Sequence, residues 1–301
     1  MDGIPWRGPG PDRPSEIALP PDRLRPACRG RLRKEWRYVG VFGADLIVIC
    51  ARVAVGPIGQ TFWAVLDRSD GSLLERTRML APGARGEVFS EIPGAGSYRL
   101  GATASNLTTR IEAGDLSARF GFDRSDGWVE AVCPSGEPPS RGGYTWTRKR
   151  AGIPIRCELR IGSRRLDFEG LGIEDESAGY HPRHTVWSWS AGVGSAADGR
   201  ALAWNLVSGV NDPEHNSERA IWVDGVAHEP APVAFDPDLG AITFAAGNRL
   251  NFAIEAERAR VENRLLIRYS YRQPFGSYSG SLDGIELAVG HGVMEHHDAY
   301  W

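Results

Sequence analysis

Lysine is nearly absent from this chain. Of 35 basic residues only Lys34 and Lys149 are lysines, and the rest are arginine. Arginine is the better fork for carboxylate or phosphate. The formal charge is nevertheless −3, so there is no basic field to recruit nucleic acid. Cysteine is sparse as well. Cys28, Cys50, Cys133 and Cys157 lie far apart and form no CxxC pair, which removes the local signals for a zinc knuckle or a redox motif. Long apolar runs are missing. The longest covers residues 46–51 and ends at Arg52, too short to span a bilayer. The first 35 residues hold Pro, Arg and Asp but no apolar signal segment. The expectation is a cytoplasmic protein with reduced thiols and no membrane insertion. Helical periodicity is scarce too: only residues 213–217 and 294–299 suggest short helices.

What the chain does have is alternation. Thr185-Val-Trp-Ser-Trp-Ser-Ala191, Ala201-Leu-Ala-Trp-Asn-Leu-Val207, Ala220-Ile-Trp-Val-Asp-Gly225 and Tyr271-Arg-Gln-Pro-Phe-Gly-Ser-Tyr-Ser-Gly280 each place apolar residues with period two. That is the pattern of half-buried strands. Similar runs begin at Trp36, with turn chemistry between them at Phe42-Gly-Ala-Asp45 and Arg68-Ser-Asp-Gly71. Glycine pairs such as Gly192-Val-Gly194 lack a P-loop lysine and a following helix, so they signal hairpins.

Residues 1–33 read as an extended N-terminal arm, punctuated by Pro and Gly. Cys133-Pro-Ser-Gly-Glu-Pro-Pro-Ser-Arg-Gly-Gly143 reads as a linker. On either side of it the strand rhythm supplies about eight strands, the count of a small closed barrel. The fold expected is all-β, with two tandem lipocalin-like antiparallel β-barrels over residues 34–147 and 148–301. An echo connects them: Trp36 and Tyr38 open the first series, Trp187 and Trp189 the second, and each series reaches an Asp-Gly turn, Asp70-Gly71 and Asp224-Gly225. Internal duplication would produce this.

Several ordered motifs carry a family resemblance. They are Glu174-Asp-Glu-Ser-Ala-Gly179, Thr185-Val-Trp-Ser-Trp189, Gln273-Pro-Phe-Gly-Ser-Tyr-Ser-Gly280 and Gly292-Val-Met-Glu-His-His-Asp-Ala-Tyr-Trp301. With them the chain resembles the bacterial domain-of-unknown-function 2804 family from about residue 24 onward. A remoter similarity, in the pattern of strands and loops, is to tandem lipocalin-like proteins such as carotenoid hydratases and tocopherol cyclases. That similarity implies the fold and a hydrophobic, often isoprenoid, ligand. No catalytic acid of those proteins maps onto this chain residue by residue.

The candidate acid–base residues are Asp175, His184, His291 and Glu295. Asp175 and His184 flank the Trp187/Trp189 strand together with Tyr180 and His181. His291 falls in the row Ile285, Leu287, Val289, His291, Val293 if the last strand stays regular, and Glu295 follows on that side. Imidazole and carboxyl groups in apolar surroundings are the raw material of proton transfer. Trp187, Trp189 and Trp222 are the expected walls of a ligand site inside the second barrel. Asn205, Tyr271 and Arg272 are expected to orient polar atoms, and the other reading of Asn205, the favoured one for a buried amide, is that it fastens a neighbouring strand. The run Glu295-His-His-Asp298 lacks the HExxH spacing, and adjacent histidines diverge on a strand, so no metal is expected. No cofactor is expected either. The function read from these residues is binding of a hydrophobic or amphipathic small molecule, with hydration, isomerisation or cyclisation as the chemistry. A non-catalytic carrier and an interaction scaffold with solid barrels stand beside it. The oligomeric state is left open.

Overall fold

Strand formation follows the alternation. In Leu46–Val55 both parities are apolar, so both faces are buried. Ile47, Ile49 and Ala51 face one way, while Val48 and Cys50 are buried on the other. The structure, a computed structural model, describes residues 5–8, 12–80, 90–92, 96–102, 106–113, 116–123, 127–135, 143–161, 163–264 and 267–301. Among these there is no helix. Residues 294–299, a helix candidate from sequence, lie inside the strand Ile285–Tyr300, and residues 213–217 form bends.

The strands build two large antiparallel sheets. The first begins with a meander of Lys34–Phe42, Leu46–Val55, Ile58–Asp67 and Ser72–Leu80. The free edge of Lys34–Phe42 takes Arg164–Gly179, which pairs with Gly143–Ile161. Beyond that come Leu116–Asp123, Asn106–Ala113, Gly96–Ala102 and Ser90–Ile92. The second sheet repeats the plan. His184–Ala196, Ala201–Ser208, Ala220–Val223 and Val226–His228 form the meander. The free edge of His184–Ala196 takes Ile285–Tyr300, followed by Ile267–Leu282, Arg249–Arg264, Ala241–Thr243 and Ala234–Phe235. In both sheets the last strand returns to lie beside the first. The sequence echo between Trp36/Tyr38 and Trp187/Trp189 marks equivalent first strands.

Three sequence expectations change here. The first sheet runs to Gly179, because Arg164–Gly179 forms a long ladder with Lys34–Phe42. The change of sheet therefore falls at residues 180–183 rather than at 147/148. The proposed linker begins inside the strand Val129–Ser135, and its residues 136–142 lie outside the described residues. The N-terminal arm is tied down where it is described. Trp6–Gly8 pairs with Val129–Ser135, and Leu19 and Leu24 are buried against Val132, Trp146, Ala178 and Tyr180.

Among the described residues the core has two main bodies. One lies between the sheets, where Ile47, Ile49 and Leu66 of the first meet Ala191, Val193, Phe275 and Val293 of the second. The other belongs to the curled second sheet alone: Trp204, Leu206, Ile221, Leu250, Phe252, Tyr278 and Met294 cluster there, all buried. The second sheet thus encloses a packed core of its own, and the larger question is what lies between the sheets.

Candidate functional site

Toward one end of the layer between the sheets the apolar contacts open into a cavity of about 150 Å³. The first strands of the two meanders face each other across it. Trp36 stacks parallel to Trp187 with ring centres 6.3 Å apart, and Tyr38 meets Trp189 edge-on at 5.2 Å. Phe62, Val53 and Ala51 line the first-sheet side, while Val207, Tyr269, Tyr271 and Trp301 line the second. Period-two geometry explains the set: residues 36 and 38, 187 and 189, and 269 and 271 are each two apart on one strand and share its inward face. Glu75, Ala259 and Arg260 are exposed lining residues and form part of its outer rim.

Each of the two returning strands brings a carboxyl group to the cavity. Asp175 stands opposite Tyr38 in the first sheet, and Glu295 stands opposite Trp189 in the second. Given the repeated topology, these carboxyl groups occupy equivalent positions, but their surroundings differ. Asp175 is ion-paired to Lys149 at 2.5 Å, and Lys149 also reaches Glu218 at 3.3 Å. Burial works against the Lys149 ammonium, yet the two carboxylates more than offset it and raise its pKa. Burial likewise raises Glu218, whose side chain accepts a hydrogen bond from Asn211 at 2.9 Å.

Glu295 has no cation bonded to it. Its oxygens accept from Trp187 Nε1 at 3.0 Å and from Gln273 Nε2 at 3.1 Å. Partial burial, with the Asp175 charge nearby, pushes its carboxyl up to about 7. That value suits proton transfer near neutral pH. Arg258 closes the side of the site. It donates to Glu75 at 2.6 Å, to the Tyr271 hydroxyl at 3.1 Å and to Gln273 Oε1 at 3.2 Å, and its guanidinium lies 4.5 Å above the Phe62 ring.

The residues expected from sequence divide cleanly. Asp175, Glu295, Trp187, Trp189 and Tyr271 line the cavity. Asn205 lies just behind it, accepting from Trp189 Nε1 at 2.8 Å and donating to the Glu218 carbonyl at 3.0 Å. It orients a wall tryptophan and fastens a neighbouring segment. Trp222 is buried in the layer between the sheets, its indole donating to the Gly127 carbonyl at 2.9 Å, and it does not line the cavity. Arg272 points away and pairs with Glu257 at 2.7 Å. His184 is exposed, bonded to Asp298 at 2.8 Å and stacked on Tyr300 at 4.0 Å. His291 sits in a separate cleft beside Arg68, with Nη1 and Nδ1 3.0 Å apart. The regular row expected around His291 is broken by a bulge at Ser195/Ala196. Leu287 is thereby turned to the core of the second sheet while Val289 is left exposed. The cavity itself lies between the sheets, not inside the second barrel.

Sequence reasoning missed Lys149, Glu218, Arg258, Tyr38 and Phe62, and weighed His297 only as a metal ligand. One signal was available. In a chain that uses arginine almost everywhere, both lysines are buried: Lys34 donates to the His181 carbonyl at 3.0 Å, and Lys149 holds the carboxylate pair. The run 295–298 behaves as alternation requires. Glu295 and His297 face the cavity, whereas His296 meets the Ser188 hydroxyl and Asp298 meets His184.

The family model described as "Domain of unknown function (DUF2804)" matches residues 18–301. No curated protein matches the sequence. Among solved structures, a candidate AttH protein of Nitrosomonas europaea superposes with a TM-score of 0.58 at 15% identity, covering 93% of this chain and 98% of that one. Kievitone hydratase of Nectria haematococca superposes with a TM-score of 0.53 at 11% identity, covering 87% and 88%. At these identities the likeness is one of fold, that of tandem lipocalin-like barrels.

Proposed function

Because the chain belongs to the DUF2804 family, whose description records no activity, we propose its function from the cavity: it binds a small, largely apolar molecule between its two sheets and performs cofactor-free acid–base chemistry on it. The observation that carries this reading is Glu295, a half-buried carboxyl that lines an aromatic-walled cavity, is held there by Trp187 and Gln273, and is pushed up to about 7. A volume of about 150 Å³ matches the size of cavity that takes a benzene-sized molecule. A longer substrate would insert one ring or one isoprene unit and leave the remainder at the rim.

In this reading Glu295 carries the mobile proton. As an acid it protonates a double bond or a leaving oxygen of the ligand, and as a base it recovers a proton when the intermediate collapses. Hydration, dehydration and double-bond isomerisation all need such a group and no redox partner. Asp175, ion-paired to Lys149, places a second carboxylate on the same cavity. It would favour cationic character developing on the ligand. Two carboxyl groups with separated environments are the usual way to divide acid and charge-stabilising roles. That a hydratase shares the fold agrees with this chemistry, without assigning it.

Iodobenzene, a ring-sized heavy-atom quencher, tests the binding half: it should quench tryptophan fluorescence saturably, and less so in a Trp189→Ala variant. In a screen of ring-sized alkenes and enones, turnover should need no added cofactor. It should fall at least about a hundredfold in Glu295→Gln while iodobenzene still binds. A protein in which iodobenzene shows only linear, unsaturable quenching has no such site.

A further inference from the structure

Among the described residues, two buried polar atoms on the cavity have neither a hydrogen-bond partner nor an ion pair. They are the Tyr38 hydroxyl and His297 Nε2, and both belong to lining residues. Their neighbours account for this. Tyr38 is held by ring contact with Trp189 at 5.2 Å, and His297 lies among Trp187, Tyr271 and Tyr269 at 4.2, 5.4 and 5.6 Å. Aromatic faces fix the two side chains but leave their polar tips unserved. Buried polar groups are almost always satisfied, so such pairs call for an explanation. The neighbouring polar groups are already engaged: Tyr271 accepts from Arg258, and both Glu295 oxygens are occupied.

Resting on the small-molecule reading above, we propose that the ligand is a one-ring molecule with an oxygen function at each end, its carbonyl accepting from the Tyr38 hydroxyl and its hydroxyl meeting His297 Nε2. The protonation states fit. Burial holds the Tyr38 phenol protonated, a donor only in need of an acceptor, and lowers His297 to about 3, so that its ring is neutral. The two residues also stand apart along the site. Tyr38 packs at the level of Trp189, whose strand partner is Glu295, and His297 lies two residues, about 7 Å of strand, further along. One oxygen would serve a single tip, whereas an oxygen at each end of the ring serves both. The wholly hydrocarbon ligand suggested by aromatic walls would leave both tips unpaired.

The test compares 4-hydroxyacetophenone with 4-ethyltoluene, in which a methyl replaces the hydroxyl and a methylene the carbonyl, by isothermal titration calorimetry. Wild-type protein should bind the hydroxy ketone at least tenfold more tightly than the hydrocarbon. Tyr38→Phe should cost the hydroxy ketone at least tenfold, leave 4-ethyltoluene within twofold, and leave the thermal midpoint unchanged or higher, since the hydroxyl removed serves no contact of the fold. His297→Phe should also weaken the hydroxy ketone alone. Equal binding of the two probes, or a hydroxy ketone indifferent to Tyr38→Phe, would overturn the oxygen anchors and leave the cavity reading standing. Loss of folding in Tyr38→Phe would assign the hydroxyl to the fold and overturn them equally. If neither probe binds the wild-type protein, both readings fall together.

Discussion

At the scale of single residues the site is governed by which buried charges have partners. Glu295 has its folded pKa raised from an ordinary 4.5 to about 7, so the folded protein keeps a proton that the unfolded chain has already released. Its contribution to stability is complete below about 4.5 and is lost as pH rises through about 7. Glu295→Gln should flatten that loss. At pH 8 the variant should gain on the wild type by on the order of 3 kcal/mol, at about 1.4 kcal/mol per unit, read as the difference between urea unfolding curves at pH 5 and pH 8. Lys149 presents the opposite case. Removing it with Lys149→Met leaves Asp175 and Glu218 buried without their cation, and a loss of about 3–5 kcal/mol is expected. An equally stable variant would mean that the carboxylates are already neutral. Residue identity was legible in sequence where alternation and chemistry coincided, as at Asp175, Glu295, Trp187, Trp189 and Tyr271. His184 was not legible, because an ionisable group at a strand end reads the same whether it meets a cavity or a surface partner, and Arg272 was misplaced because, next to Tyr271 in mid-strand, it takes the opposite face.

At the scale of elements, nearly every described strand is foreshadowed by period two, but the glycines are not. Gly192 sits in mid-strand opposite Gly292 and Trp204, and a Cβ there would collide with the Trp204 indole. Gly276 likewise pairs with Gly292. A Cβ at Gly276 or Gly292 would meet the backbone of the neighbouring strand, while Gly192 and Gly290 clear a seat for Trp204 and Tyr278, whose rings meet edge-on at 4.9 Å. In sequence, Gly-x-Gly looks alike whether it makes a turn or admits a ring, hence the mistaken hairpin. Gly192→Ala should cost about 1–3 kcal/mol by overpacking, measured by chemical denaturation. A neutral change would show that Trp204 has room to move. The His291 expectation failed for a different reason: His291 keeps the face of Val293 and Glu295, but four residues of strand, about 13 Å, carry it to a separate cleft, and the bulge beside Ala196 takes only Leu287 out of the row.

At the scale of the whole molecule, alternation reveals which residues share a face but not which sheet that face will meet. The barrel pair was readable from strand count and from the echo of aromatic strands. The cavity between the sheets was not. The boundary has a similar cause, since Lys34–Phe42 finds its second neighbour more than a hundred residues later, in Arg164–Gly179. A fragment of residues 1–147 should therefore show no cooperative unfolding, whereas one of residues 1–182 keeps the ladder and should unfold cooperatively. The most direct test of a ligand site between the sheets is anomalous diffraction from crystals soaked in iodobenzene. Iodine should lie among Phe62, Trp189, Tyr271 and Glu295; iodine beside Trp204 and Phe252 in the core of the second sheet, or none bound, would contradict it.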